Sequence, residues 1–171
     1  MRNSTIIILR GNSGSGKSTV AKNLQRELGH GTFLISQDVV RREMIFVHDE
    51  PNNQSIDLLI DLVKWGQNNC NIVILEGILR SKTYERLFEI ISSEFGNNIF
   101  AYYFDLPFEE TLKRHNTRDK SKEFGEEALR KWWTEKDYLP QIQEKRITQD
   151  LAMVDIIDLI KNDLSKEMII C

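Results

Sequence analysis

Residues 5–19 read Thr-Ile-Ile-Ile-Leu-Arg-Gly-Asn-Ser-Gly-Ser-Gly-Lys-Ser-Thr. The first half is an apolar, β-branched run, the signature of a buried strand, and the second half matches the pattern G-x-x-x-x-G-K-[ST]. Three of the nine glycines in the 171-residue chain fall within Gly11–Ser18. Glycines let the backbone wrap so that its N–H groups point inward at phosphate oxygens, and a helix beginning at Lys17 would add its positive end to that attraction. Average residue usage gives a chance match in a chain this long on the order of 1%, and the strand before it and helix after it lower that further. Gly11, Asn12, Ser13, Gly14, Ser15 and Gly16 are therefore expected to cradle a nucleoside triphosphate. Lys17 is expected to reach its β- and γ-phosphates, Ser18 to ligate Mg²⁺, and Thr19 to cap the helix or touch the α-phosphate. A dinucleotide-binding reading fails, because Thr19 stands where a third Gly or Ala is needed.

Outward from this motif, short apolar runs alternate with amphipathic stretches. Strands are expected at 5–10, 32–36, 71–76, 98–105 and, more weakly patterned, 144–148; helices at 17–29, 38–46, 55–68, 82–95, 107–117, 125–138 and 150–164. That alternation predicts an α/β three-layer sandwich, a parallel sheet of about five strands with helices on both faces. No linker, repeat or low-complexity tract divides the chain, so a single domain over 1–171 is expected.

The charge balance is 23 Lys+Arg against 26 Asp+Glu, a net charge of -3. This excludes the strongly basic footprint of a protein that coats nucleic acid. Cys70 and Cys171 are too few for a disulfide framework and lack metal-ligand spacing. No signal peptide or membrane-length apolar stretch is present, so a cytoplasmic protein is expected.

Charge is unevenly spread. Within residues 113–122, Lys113, Arg114, Arg118, Lys120 and Lys122 face one carboxylate, Asp119, a local balance of +4; the polar segment 113–124 is expected to form a short helical lid. Arg114 and Arg118 share a helical face and suit the charge that develops in phosphoryl transfer; Arg114 is also placed to pair with Glu110 at i, i+4. After the second strand, Asp38 stands where a carboxylate could take a proton from an attacking hydroxyl, provided that strand lies beside the first, and Arg41, one turn on, could bind an anionic part of the acceptor. Asp38 could equally cap its helix, with Arg41 a solvated partner. The third strand ends at Glu76-Gly77, where a carboxylate could hold Mg²⁺ through water. No guanine-reading N-K-x-D and no D-x-x-G switch occur. Trp132, Trp133 and Tyr138 could stack on a base or sugar, or pack in the core.

These residues resemble the small P-loop kinases over about 5–140, in particular the 5′-hydroxyl polynucleotide kinases and bacterial proteins often labelled uridine kinase. Asp38-Val39-Val40-Arg41 is similar to their D-x-x-R, Asp105-Leu106-Pro107 to their D-x-P, and Lys113-Arg114-His115-Asn116-Thr117-Arg118 to their K-R-x-x-x-R lid start. The resemblance implies Asp38 as general base, Arg41 on an acceptor phosphate and Arg118 as a clamp on the donor phosphates. Leu75-Glu76-Gly77-Ile78-Leu79-Arg80 departs from polynucleotide kinases and is similar to the E-G-x-L-R segment of zeta-toxin kinases, which implies that Glu76 and Arg80 lie around the acceptor. Chloramphenicol phosphotransferase is a further likeness, with its base at the position of Asp38. The expected activity is transfer of the γ-phosphoryl group of MgATP to the hydroxyl of a small nucleoside- or nucleotide-like acceptor, with Lys17, Asp38 and Arg118 catalytic. The alternatives are a 5′-hydroxyl polynucleotide kinase, a nucleotide-sugar or antibiotic kinase, and a non-enzymatic nucleotide-binding module. The acidic balance favours a small acceptor over a long nucleic acid, and oligomeric state is not legible.

Overall fold

The computed structural model describes residues 4–116 and 125–168. Its elements run β1 (Thr5–Gly11), α1 (Lys17–Leu28), β2 (Thr32–Ser36), α2 (Gln37–Val39) continued by a π-helical turn (Val40–Met44), α3 (Ser55–Asn69), β3 (Ile72–Gly77), α4 (Glu85–Phe95), β4 (Ile99–Phe104), α5 (Phe108–Asn116), α6 (Glu126–Trp132), β5 (Glu144–Ile147) and α7 (Met153–Met168). The five strands form one sheet in the order β2-β3-β1-β4-β5, and every pairing is parallel.

The unbroken apolar run of β1 has a direct explanation. Successive side chains point to opposite faces of a strand. Ile6 and Ile8 join a core with Leu59 and Val63 of α3 and Leu87, Phe88 and Ile91 of α4. Ile7 and Leu9 join another with Val20, Ala21 and Leu24 of α1 and Ile156, Ile157 and Ile160 of α7. All four residues of the run are completely buried. Central strands covered on both faces need no polar side, and this gives the three-layer architecture expected from the sequence. Among the described residues no helix is long and apolar enough to cross a membrane.

Two helices are shorter than their periodicity predicts. The helix expected over 38–46 leaves α geometry at Val40: Ile45 N donates to Val40 O, a bond five residues back, and Val47 N donates to Arg41 O, so the chain widens into a π turn and exits at Phe46 with φ +52°. The helix expected over 125–138 stops at Trp132. Trp133 is extended and Lys136 has φ +48°, which a continuing helix would not allow. The competing force is tertiary: Thr134 N donates to the side-chain oxygen of Asn12 at 3.0 Å and Asn12 Nδ2 donates back to Thr134 O at 2.7 Å. This two-way clasp draws residues 133–139 across the sheet's C-terminal edge as a strap.

Candidate phosphate and acceptor site

The loop between β1 and α1 lies at the C-terminal edge of the central strand, where open α/β sheets bind ligands. Gly14 has φ +81°, and a Cβ there would lie 2.7 Å from Thr111 O on α5, so the backbone passes too close to that helix for any side chain. Gly11 is similarly confined: φ is +141° and a Cβ would meet Phe104 O at 2.8 Å. Lys17 is buried, and its Nζ donates to Asn12 O at 2.7 Å and Ser15 Oγ at 3.0 Å, which holds the ammonium inside the loop's curve. Gly16 is the residue before α1 and makes no side-chain cap, so no side chain competes with a phosphate for the first-turn amides. Thr19 is not the cap: it sits exposed in the first turn, where its N–H reaches back to Gly16 O.

Glu76 connects this loop to the neighbouring strands. It is only 4% exposed, and its carboxylate accepts one hydrogen bond from Ser18 Oγ at 3.0 Å and another from Ser36 Oγ at 2.5 Å. Ser36 and Glu76 are paired in register across β2 and β3. A buried carboxylate that accepts from two hydroxyls is well held. The hydroxyl of Ser18 and carboxylate of Glu76 are hard oxygen donors, the chemistry that Mg²⁺ prefers.

Asp38 follows Ser36 by two residues, so these bonds end two residues before it. The condition set for Asp38, that β2 lie beside β1, is not met: β3 lies between them, and Glu76 bonds to both sides. Asp38 is partly exposed and accepts from Arg41 Nη2 at 3.0 Å and Arg42 Nη1 at 3.5 Å. Arg41 also donates to Val47 O at 3.1 Å, while its Nε–H is buried without an acceptor among the described residues. Arg80 turns to Asp49 at 3.2 Å. The other oxygen of Asp49 accepts from Tyr84, whose hydroxyl also accepts from Gln37 Nε2. Burial, reinforced by the Asp49 charge, pushes the Tyr84 phenol far above the usual tyrosine range. Arg80 and Tyr84 therefore tie residue 49 to the loop after β3.

Arg114 makes the expected i, i+4 pair and also reaches the loop. Its Nε donates to Glu110 at 2.6 Å and its Nη1 to Ser15 O at 3.2 Å, so the ion pair aims the guanidinium at the phosphate loop. Arg118 and segment 117–124 of the expected lid lie outside the described residues. Of the three aromatic residues, Trp133 is partly buried while Trp132 and Tyr138 stay exposed. Trp133 sits edge-on to Phe108, and Tyr138 sits edge-on to Tyr103 while donating to Asp105 at 2.7 Å. Trp132 keeps an exposed face, lining a shallow hollow beside the loop with Asn12, Ser13 and Leu129.

Pattern reading missed Arg10, whose side chain is fully buried one residue before the loop and meets Leu79, Asp137 and Glu144. A charge closing a central apolar strand was its only trace in the sequence, since its partners lie 69 to 134 residues away.

The sequence matches the family model described as AAA domain over residues 6–135. The chain belongs to that family. No curated protein matches it. Solved structures match it over almost their whole length at low identity. The APS kinase of Mycobacterium tuberculosis, in complex with AMPPNP and APS, is 18% identical with a TM-score of 0.65, covering 95% of this chain and 98% of its own. A gluconokinase of Sinorhizobium meliloti is 12% identical with a TM-score of 0.64, covering 92% and 90%. The shikimate kinase of Aquifex aeolicus is 21% identical with a TM-score of 0.56, covering 96% and 99%. These AAA-domain residues therefore adopt the parallel α/β fold seen in those proteins.

Proposed function

We propose that this protein is an ATP-dependent phosphotransferase that moves the γ-phosphoryl group of MgATP to the hydroxyl of a small nucleoside- or nucleotide-like acceptor. The observation that supports the reading is the pair of bonds from Ser18 and Ser36 to Glu76, which tie the loop after β1 to the end of β2, two residues before Asp38. The kinase names of the three structural neighbours accord with it.

In this reading the loop amides and Lys17 bind the phosphates, and Ser18, with Glu76 behind it, would hold Mg²⁺. When bound, the ion neutralises charge on the β- and γ-phosphates. The acceptor oxygen attacks the γ-phosphorus as the bond to the β,γ-bridging oxygen breaks, ADP leaves, and Asp38 takes the hydroxyl proton. The pairs of Asp38 with Arg41 and Arg42 are partly exposed and cost little to rearrange. Arg114, and Arg118 beyond the described helix, would meet charge on the transferring group. The unpaired Nε–H of Arg41 offers a donor to an anionic acceptor.

Incubation with MgATP and a panel of nucleosides, nucleotide sugars, aminoglycosides, phenicols and 5′-hydroxyl oligonucleotides, scored by product mass, tests this reading. It predicts a small molecule gaining one phosphoryl group. ATP hydrolysis with no product in any member contradicts it. The D-x-x-R sequence supports oligonucleotide ends as the second reading. Salt separates the two, because polynucleotide affinity falls steeply as salt is added.

A further inference from the structure

Arg10 has no exposed surface, and all five of its N–H bonds are taken. Nε and Nη2 donate to Leu79 O at 3.2 and 3.0 Å. Nη2 also donates to Asp137 Oδ2 at 2.7 Å, and Nη1 donates to Asp137 O at 2.5 Å and to the Glu144 carboxylate at 3.0 and 3.1 Å. The rings of Phe88 and Tyr103 lie 5.6 and 5.2 Å from the guanidinium carbon. Such a cluster could do no more than hold the fold together, but the groups it grips are specific to the site. Leu79 has φ +46°, a conformation that leucine adopts only when its surroundings impose it, and its carbonyl takes two of the five N–H bonds. Two residues later, Ser81 donates both its N–H, at 2.9 Å, and its Oγ–H, at 2.5 Å, to Asp137. The loop Leu79-Arg80-Ser81 is thus clamped at both ends, with Arg80 between them turned to Asp49. The strap carrying Asp137 is the one clasped to the phosphate loop through Asn12 and Thr134.

We propose that Arg10 and Asp137 form a positioning pair that sets the loop 79–81 against the phosphate loop, so that acceptor alignment depends on them and nucleotide binding does not. The catalytic part of this inference rests on the phosphotransferase reading above. Only a planar, five-donor guanidinium can serve Leu79, Asp137 and Glu144 together; a lysine ammonium in its place has three donors on one atom.

The test uses the intact protein with Asp137→Asn, Arg10→Lys and Ser81→Ala, the last leaving every charge of the cluster in place. Amide hydrogen exchange is followed in segments 78–84 and 5–19, and MgAMPPNP affinity is measured by calorimetry. Asp137→Asn should raise exchange in 78–84 at least tenfold with 5–19 unchanged and MgAMPPNP affinity within threefold of wild type; Ser81→Ala should do the same to a smaller degree. With any panel compound that the wild type phosphorylates, the KM for that compound should rise tenfold or more while the KM for ATP stays within threefold. Exchange that is unchanged in 78–84, or that rises equally in both segments with a matching loss of MgAMPPNP affinity, overturns the proposal. Should Asp137→Asn and Arg10→Lys fail to fold, Ser81→Ala decides by the same criteria. If the wild type phosphorylates nothing, the phosphotransferase reading fails on its own, and the exchange pattern still decides whether the clamp exists.

Discussion

The phosphate loop and the edge at residues 38–50 are built by opposite means. The loop is made of backbone: glycines in conformations other residues avoid, first-turn amides without a side-chain cap, and a lysine folded into its own loop. The edge is made of side-chain charges that neutralise one another, Asp38 with Arg41 and Arg42, and Asp49 with Arg80. It also exposes Met44 and Phe46, the latter 91% exposed. A backbone site is set before its ligand arrives and recognises a group common to many substrates, here phosphate. A site of partly exposed ion pairs can exchange partners at modest cost, which suits the half of a reaction that differs from one substrate to another. On the proposed phosphotransferase reading, the loop would carry the common chemistry and the edge the specificity.

The largest expected effect falls on the loop. Lys17→Ala should weaken MgAMPPNP binding at least 100-fold and abolish its thermal stabilisation, because a buried cation at the phosphate site is lost; stabilisation equal to wild type would break the assignment. Glu76→Gln probes the junction between the two regions. It should lower affinity for the nucleotide with Mg²⁺ about tenfold while affinity without Mg²⁺ changes less than threefold, as read by calorimetry with and without EDTA. Equal losses under both conditions would make Glu76 only a structural bridge.

The smallest effect belongs to the framework of the edge. The Tyr84 phenol is raised in the fold, chiefly by burial, so the neutral form is favoured there relative to the unfolded chain. The corresponding stability is complete below about pH 10, the ordinary tyrosine range, and is lost as pH rises above it. Tyr138 acts in the same direction, its phenol pushed up to about 12 by desolvation and by Asp105. Denaturant unfolding of Tyr84→Phe should therefore show a shallower decline above pH 10 than wild type. Parallel declines would separate Tyr84 from the alkaline transition.

The same contrast explains what the sequence revealed. The loop was legible because its chemistry is contiguous: eight neighbouring residues carry glycine spacing, lysine and hydroxyl together. The sheet was legible because β1 is buried on both faces and reads as an unbroken apolar run. Glu76 was legible as a carboxylate closing a strand, but its two serine partners were not, since Ser18 and Ser36 come from elements 58 and 40 residues away. The π turn after Val39 and the end of α6 escaped because periodicity records a helical face and not the tertiary bonds that override it. Arg10 was hidden for a related reason: a buried arginine gains meaning from distant partners, and Asp137 and Glu144 carry no local mark.

On the proposed phosphotransferase reading, Asp38 serves chemistry while the loop serves binding. Asp38→Asn tests it most directly, with MgAMPPNP affinity and acceptor phosphorylation measured on the same preparation. Phosphorylation should fall at least 100-fold while MgAMPPNP affinity stays within threefold of wild type. Phosphorylation at the wild-type rate in Asp38→Asn would contradict it.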